Sequence, residues 1–307
     1  MRLTPDRIRA LFVDRATAKF ARHVPDFVAL QALVREQGGT FRNDHGAIRV
    51  ADAGVRDLFV AAAGVMGFKR DLDYEFPAKK LRSFDLQVPG EDASQFKIFV
   101  SQVDLAAFGK PFVALIEQDC AGQAAAVDYA PLRALIDQAR RDRGLAEPVA
   151  EEFVEWVAGA LMHRNGPPIL RATLEAVAAV SGEAASALAL GPDFNHVTID
   201  VRAAGFAGIE AMAEAMRRKG FRLLPAIQGA PGTKLRQTAT MAATVATPVR
   251  EADGRTGSAQ TEKQFVEIIE RGPVPDGKGG TKVFKNFLAA NAEKIFDAAS
   301  TKVAGRL

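Results

Sequence analysis

The sequence contains four histidines, and two of them lie in segments of matching pattern. His45 lies in NDHGAIRV and His196 lies in FNHVTIDV, and apolar and polar residues alternate in both segments. Alternation predicts strands in which every second side chain shares a face, so both histidines are expected on the more polar face. A lone strand histidine is more often a hydrogen-bonded structural residue. A symmetric pair indicates metal binding instead, because imidazole is the commonest metal ligand among side chains.

A third ligand is available in the segment QFVEIIERG, which places Glu267 and Glu270 in an otherwise apolar strand. An ionised carboxylate in such a strand is costly unless it is paired or bound to a cation. The alternation does not choose between the two acids, and the alternative for each is a surface acid paired with Arg271 or Lys263. Two histidines and one carboxylate, with open coordination positions, form the facial arrangement of non-haem iron(II) oxygenases.

Three further polar residues are candidates for substrate binding beside such a metal. Arg49 follows His45 by four residues on the same strand face, about 13 Å away at roughly 3.3 Å per residue. A guanidinium there would hold one end of an anion whose other end binds the metal; the alternative is a solvent-facing arginine. Thr198 shares its strand face with His196. Gln237, in LRQT, either lines the pocket or is a buried amide with structural partners.

The two histidine segments begin two similar series of elements, which we interpret as an internal repeat. Each series reads as strand, helix and three strands. Strands are predicted near residues 41–50, 68–76, 83–88 and 96–103 in the first series. In the second series they are predicted near residues 194–201, 221–227, 235–245 and 264–270. Residues 246–257, rich in Gly, Thr, Arg and acids, are expected to form an exposed hairpin loop.

These elements predict an α+β fold in which two βαβββ-type repeats form a curved mixed or antiparallel sheet around a central metal pocket. A pseudo-twofold axis between the repeats would bring the two histidine faces together. The expected organisation is one metal-centred unit made of N-terminal helices (1–40), a first half (41–127), a helical insertion (128–190), a second half (191–275) and a C-terminal helix (276–307, helical from about 285 to 303).

Composition restricts the class of protein. The chain has 307 residues, of which 48% are hydrophobic and 25% charged, as in globular proteins with a substantial core. A net charge of +3 with scattered Lys and Arg predicts no nucleic-acid partner. A single cysteine, Cys120, excludes an intrachain disulfide, and no apolar run reaches the roughly 20 residues of a membrane span. We therefore expect a cytoplasmic globular protein with no membrane partner.

Four stretches, taken together, resemble one known family. They are DHGAIR from Asp44, FNHVT from Phe194, IQGAPGTKLRQTAT from Ile227 and FVEIIERG from Phe265. The chain is similar to the 2-oxoadipate dioxygenase/decarboxylase family, also called 2-hydroxyglutarate synthase and related to the vicinal oxygen chelate superfamily.

The resemblance implies a metal site and a reaction. Carried over by position, His45, His196 and Glu267 would hold iron(II), or another divalent metal in its place, and Arg49 would bind substrate. It favours Glu267 over Glu270, a choice that periodicity leaves open. The implied reaction, in lysine catabolism, converts a 2-oxo diacid, 2-oxoadipate, with O2 to 2-hydroxyglutarate and CO2. Arg49 would then hold the distal carboxylate.

Two other classes of function are compatible with these residues. One is a different metalloenzyme of the same superfamily, such as a 4-hydroxyphenylpyruvate dioxygenase-like or extradiol dioxygenase-like enzyme, an isomerase or a hydrolase. The other is a non-catalytic protein that binds a small molecule between the repeats. Bound transition metal, and a loss of stability on chelation, would argue against the binding protein.

Overall fold

The computed structural model describes residues 2–90 and 92–296. The strands are β1 (Arg2–Leu3), β2 (Asn43–Val50), β3 (Lys69–Phe76), β4 (Leu81–Gln87), β5 (Lys97–Val103), β6 (Leu145–Ala146), β7 (Ile169–Leu170), β8 (Phe194–Asp200), β9 (Leu235–Ala239), β10 (Ala243–Arg250), β11 (Thr256–Arg271), β12 (Pro273–Pro275) and β13 (Thr281–Val283). The helices are α1 (Pro5–Ala21), α2 (Pro25–Glu36), α3 (Ala53–Val65), α4 (Lys110–Ala124), α5 (Ala130–Asp142), α6 (Glu147–Glu155), α7 (Arg171–Val180), α8 (Gly182–Leu190), α9 (Ile209–Arg218) and α10 (Ala289–Ile295).

One mixed sheet runs through the molecule in the order β3-β4-β5-β2-β8-β11-β10-β7, and β9 pairs with β11 beside β10. β2 and β8 pair antiparallel at its centre. Outward from this pair, β2 runs parallel to β5 and β8 runs parallel to β11, and then β4 and β9 pair antiparallel with β5 and β11. The two halves therefore repeat the same pairings around the β2–β8 centre, which confirms the predicted α+β fold with a duplicated mixed sheet.

The apolar face of each central strand packs against helices. Ile48 and Val50 of β2 join Val197 and Ile199 of β8 in the main hydrophobic core, together with buried residues of α1, α2, α3 and α9. The alternation of the two segments thus assigned the core face correctly. The opposite, concave face carries the histidines and a second apolar cluster formed with α8 and the C-terminal segment.

One predicted strand of the second half is absent. Residues 221–227 form no strand: Leu223 makes an isolated bridge with Thr240, and Gln228, just after the segment, makes another with Gln237. Pro225 lies in the middle of this segment and has no backbone N–H to donate to a neighbouring strand. The second repeat therefore keeps the place of its second strand without regular pairing.

The prediction was also wrong about residues 235–257. The single strand expected at 235–245 is two strands, β9 and β10, and most of the expected loop at 246–257 belongs to the β10–β11 hairpin. The reason is the length of β11: its first part pairs with β10 and its last part pairs with β9 and β8. The turn itself is short, with Gly254 at φ +85°.

The helical block begins earlier than predicted, because α4 precedes the expected start at residue 128. Only Ile116 and Cys120 are buried in α4, and its apolar residues 112–116 are consecutive, so the sequence shows no stripe at helical spacing. At the other end, α10 covers part of the predicted C-terminal helix, and residues 297–307 of that prediction lie outside the described residues. Within the described ranges, no helix combines the length and apolarity needed to cross a membrane.

The core face of β2 includes one position that only glycine fits. A Cβ added to Gly46 would lie 2.5 Å from the ring of Phe194 on the neighbouring strand β8. That ring is fully buried and makes edge contacts with Phe12 and Phe96. Gly46 therefore allows the two central strands and α1 to pack closely.

We expect Gly46→Ala to lower the free energy of unfolding by about 1–3 kcal/mol, because the added methyl group overpacks the core. Gly64→Ala is the matched control: an added Cβ in this part of α3 meets no atom within 4 Å. It should raise stability by about 0.5–1 kcal/mol through helix propensity. Urea unfolding of both variants measures the two effects, and equal stability of the two would contradict the packing argument.

Candidate metal centre

Three buried side chains from three strands converge on the concave face of the sheet. Atoms of His45, His196 and Glu267 that can bind a metal all lie within 4.8 Å of one another. Glu267 Oε2 is 3.4 Å from His45 Nε2 and 3.3 Å from His196 Nε2. The structure therefore brings together the two histidines and the acid that the sequence singled out.

Strand register produces this convergence. In the β2–β8 pair, His45 lies opposite Thr198 and Ala47 lies opposite His196, so the two histidines are diagonal neighbours on one face. In the parallel β8–β11 pair, Glu267 lies opposite Thr198. Its carboxylate consequently enters the same face between the two imidazoles.

Irregularities in the pairing of β2 with β8 orient the site. The register shifts between Asn43 and His45, so that two steps along β2 match one step along β8 and Asp44 is the extra residue. A bulge of this kind redirects a side chain. Asp44 Oδ1 thereby lies 2.8 Å from His45 Nδ1, although simple alternation would send the two side chains to opposite faces.

Asp44 belongs to a buried charge network behind the site. Arg271, the last residue of β11, donates from Nε and a terminal nitrogen to the two oxygens of Asp44, each at 2.7 Å. Lys97 Nζ lies 3.8 Å from the same carboxylate. Although burial opposes ionisation, Arg271 and Lys97 hold the pKa of Asp44 well below its usual range. An ionised Asp44 accepts from His45 Nδ1–H, which leaves His45 Nε2 free to bind a metal.

The two imidazoles differ in their affinity for protons. Burial and the neighbouring charges of His45 and Arg49 hold the pKa of His196 well below its usual range, so this ring is neutral. Burial also opposes a charge on His45, but its hydrogen bonds to Asp44 and Glu267 raise its pKa overall. His196 stacks on the ring of Phe265 at 4.7 Å between centroids, which fixes the plane of the neutral imidazole.

The carboxylate of Glu267 is held in place but is incompletely bonded. Thr198 Oγ1 donates to Glu267 Oε2 at 2.8 Å and lies 3.0 Å from His45 Nε2. The second oxygen, Glu267 Oε1, is buried with no hydrogen-bond partner. A buried carboxylate with one oxygen beside two imidazoles and the other oxygen unpartnered is an environment that a divalent cation would complete. The nitrogen and oxygen donors suit iron(II) or a similar divalent metal.

Glu270, the acid that the alternation left as an alternative, lies outside this group. Its carboxylate is 3.2 Å from Arg236, which also pairs with the exposed Glu210. A step of three residues along β11 sends Glu270 to the opposite sheet face from Glu267. The two acids of QFVEIIERG thus have different partners.

The three residues predicted to bind substrate occupy different places. Gln237 lines the small cavity beside the histidines. Thr198 is fully buried among the candidate ligands and does not line that cavity. Arg49 is also buried, and its guanidinium lies 2.6 Å from Glu183 on α8 and 5.4 Å from the ring centroid of Phe296.

The cavity at the candidate ligands is about 20 Å³, with room for about one water molecule. Its lining residues are His45, Phe99, His196, Gln237, Glu267, Phe287, Ala292, Ile295 and Phe296. The C-terminal segment supplies the outer wall: the ring of Phe287 meets His45 edge-on at 4.8 Å. A six-carbon acid therefore enters only if this wall moves.

A much larger cavity, about 590 Å³, lies elsewhere. It is lined by residues of α1, by the loop around His163 and by β10, and contains none of the three candidate ligands. Choosing a candidate site by cavity volume would thus have pointed to a different region from the one that contains the candidate metal ligands.

Sequence reasoning missed four residues of this site: Asp44, Arg271, Lys97 and Glu183. Lys97, Arg271 and Glu183 are ionisable residues in largely apolar segments, and such residues require a buried partner. The sequence carried that signal, since Lys97 begins an apolar strand and Arg271 ends one. The sequence did not identify the partners of these residues, because the partners depend on the bulge at Asp44 and on the packing of α8.

Comparison with known proteins agrees with this geometry. A model of the family described as 2-oxoadipate dioxygenase/decarboxylase matches residues 12–303. The chain belongs to the 2-oxoadipate dioxygenase/decarboxylase family. The resemblance inferred from the four short stretches is therefore confirmed. No curated protein matches the sequence.

Solved structures share the fold of this family member at low sequence identity. A glyoxalase superfamily protein of Ralstonia eutropha has a TM-score of 0.81 at 20% identity, with 93% of this chain and 87% of that chain covered. The hydroxyglutarate synthase of Oryza sativa, solved with 2-oxoadipate, has a TM-score of 0.72 at 18% identity, covering 95% and 91%. The hydroxyglutarate synthase of Pseudomonas putida has a TM-score of 0.70 at 22% identity, covering 97% and 74%.

We expect Asp44→Asn to weaken divalent-metal binding by about 10- to 100-fold, because an amide no longer fixes the tautomer and orientation of His45. A competition titration of iron(II) against a chelator under argon measures the change. Asp73→Asn, which alters an exposed acid paired with Arg70, is the control and should bind metal like the wild type. Unchanged affinity in Asp44→Asn would show that the hydrogen bond does not orient the ligand.

The pKa directions predict one released proton per bound metal. Because the pKa of His45 is raised from its ordinary value, the metal-free protein at about pH 6 carries a proton there that the metal must displace, whereas His196, with a lowered pKa, is neutral. The apparent metal affinity should rise about tenfold between about pH 5.5 and 6.5. Titrations in buffers of different ionisation enthalpy count the protons. Release of two protons would mean that His196 is also charged.

Proposed function

We propose that this protein is an iron(II)-dependent dioxygenase that decarboxylates a 2-oxo acid. The observation that carries the proposal is the convergence of His45, His196 and Glu267 on one buried face. Membership of the 2-oxoadipate dioxygenase/decarboxylase family supports the reaction class. The reference conversion is that of 2-oxoadipate and O2 to 2-hydroxyglutarate and CO2, in which both oxygen atoms of O2 end in the products.

The three side chains would hold the metal and leave coordination positions open for substrate and O2. When bound, iron(II) supplies a chelation point for the 2-oxo acid and the electrons that activate O2. The protein provides orientation. Asp44 fixes His45, Thr198 fixes the carboxylate of Glu267, and Phe265 fixes the plane of His196.

The remaining lining residues would position the acid and exclude water. Gln237 is the neutral amide on the cavity wall, and we assign it to hydrogen bonding with the substrate. Phe99, Phe287 and Phe296 form an apolar wall. A dry site prevents reactive oxygen species from reacting with solvent instead of substrate.

Replacing a candidate ligand should abolish the reaction, whereas replacing the neighbouring acid should not. We expect His196→Ala and Glu267→Gln to lose at least about 100-fold in turnover with 2-oxo acids, because either change removes a donor from the metal. Glu270→Gln is the matched control and should retain activity. An oxygen electrode measures the consumption of O2, and CO2 capture measures the released product.

The stoichiometry separates this proposal from other functions. We expect one CO2 for each O2 consumed, measured with iron-loaded wild-type protein. Iron-loaded protein that consumes no O2 and releases no CO2 with any 2-oxo acid would refute the proposed function. Activity that survives in Glu267→Gln but not in Glu270→Gln would refute the assignment of the ligands.

A further inference from the structure

The charge of Arg49 is already compensated within the protein. One terminal nitrogen of the guanidinium lies 2.6 Å from Glu183 Oε2, and the two side chains are 3% and 5% exposed. A close, buried pair of opposite charges is neutral overall, so it attracts a further anion less than a lone guanidinium would. The positive charge that Arg49 presents to the pocket is therefore compensated by Glu183.

Glu183 is fixed where it lies. It occupies the first turn of α8, a helix buried along most of its length, with Ala184, Ala185 and Leu188 in the second apolar cluster. Ser181 caps this helix by accepting from the backbone N–H of Ala184. The carboxylate cannot swing into solvent to release Arg49 without disturbing a packed helix.

An aromatic ring separates Arg49 from the candidate metal ligands. Phe296 lines the cavity beside His45 and His196, and Arg49 does not. The ring of Phe296 lies 5.4 Å from the guanidinium carbon of Arg49 and packs on Phe76 at 5.0 Å between centroids. The wall of the pocket on the side of Arg49 is therefore a hydrocarbon surface.

The other nearby cations are also engaged. Arg271 is bound to Asp44 and to the carbonyl oxygens of Phe284 and Asn286, and Lys97 donates to two backbone carbonyls. The lining residues of the cavity include no Lys or Arg. A distal carboxylate would become a second anion beside Arg49 and Glu183, which is costly in a buried site.

From these contacts we infer that Glu183 determines substrate specificity, and that the preferred substrates are 2-oxo monocarboxylic acids with an apolar distal chain rather than 2-oxo diacids. The inference rests on the proposed function, since it takes the 2-oxo carboxylate to bind at the metal. Phe99, Phe287, Ile295 and Phe296 would contact the apolar chain. The paired Arg49 then forms part of the wall and does not bind an anion.

The test compares two acids of equal length, 2-oxohexanoate and 2-oxoadipate, which differ in the distal group. Their dissociation constants are measured calorimetrically with iron(II)-loaded protein under argon, so no turnover is required. Wild-type protein should bind 2-oxohexanoate about tenfold or more tightly than 2-oxoadipate, because the second carboxylate is left without a free cation. This arm does not depend on any variant folding.

Glu183→Gln should improve the binding of 2-oxoadipate by about tenfold or more, because it removes the negative charge of Glu183 and leaves the charge of Arg49 uncompensated near the distal carboxylate. Binding of 2-oxohexanoate should change by less than about twofold. Glu175→Gln, an exposed acid on the neighbouring helix α7, is the matched control and should bind both acids like the wild type.

Each outcome is decisive. Equal or tighter binding of 2-oxoadipate by the wild type overturns the inference, as does a Glu183→Gln variant that folds but leaves 2-oxoadipate binding unchanged. The predicted order of affinities without any O2 consumption supports the specificity and refutes the proposed reaction. Absence of binding by both acids overturns both.

Discussion

The antiparallel pairing of β2 with β8 is the constraint on which the site depends. It sets Ala47 opposite His196 and His45 opposite Thr198, so both imidazoles enter the concave face. A shift of one residue would move a histidine into the main apolar core and an isoleucine into the polar site. Burial of Ile48, Val197 and Ile199 on the core face therefore fixes the strand register, and this register places the two histidines on the concave face.

A second feature of this molecule is the number of charged side chains that are buried near the site. Asp44, Lys97, Arg271, Glu183, Arg49 and Glu267 are all buried within or beside the same concave region. Each would be unfavourable alone, and five of them have a partner of opposite charge within 4 Å. Glu267 differs, because its near neighbours are two imidazoles and a hydroxyl group, and one of its oxygens is unpartnered. The residues whose charge is balanced by a neighbour thus support the site, whereas Glu267, whose charge is not balanced in this way, is available to a metal.

The origin of the pocket residues in the chain explains why membership of the family does not by itself determine substrate specificity. The candidate ligands and their supporting contacts suit a common reaction class, whereas one wall of the pocket is formed by the C-terminal segment, and Arg49, paired with Glu183 of α8, lies against Phe296 of that wall. Phe287 and Phe296 come from that segment, and Glu183 comes from the helical block between the two halves. Elements outside the duplicated sheet therefore supply the surfaces that would contact the distal chain of the substrate.

The sequence by itself determined the elements that carry the site. Alternation assigned the faces of His45 and His196, and the repeat indicated two halves facing each other, because periodicity is a local property of the chain. Local pattern did not separate Glu267 from Glu270; only the family resemblance did so before the structure. Tertiary structure decided the rest: the bulge that turns Asp44 toward His45, the loss of a strand at Pro225, and the pairing of Arg49 with Glu183 across 134 positions of sequence. These depend on which distant segments pack together, and the residues of a single segment do not encode their partners.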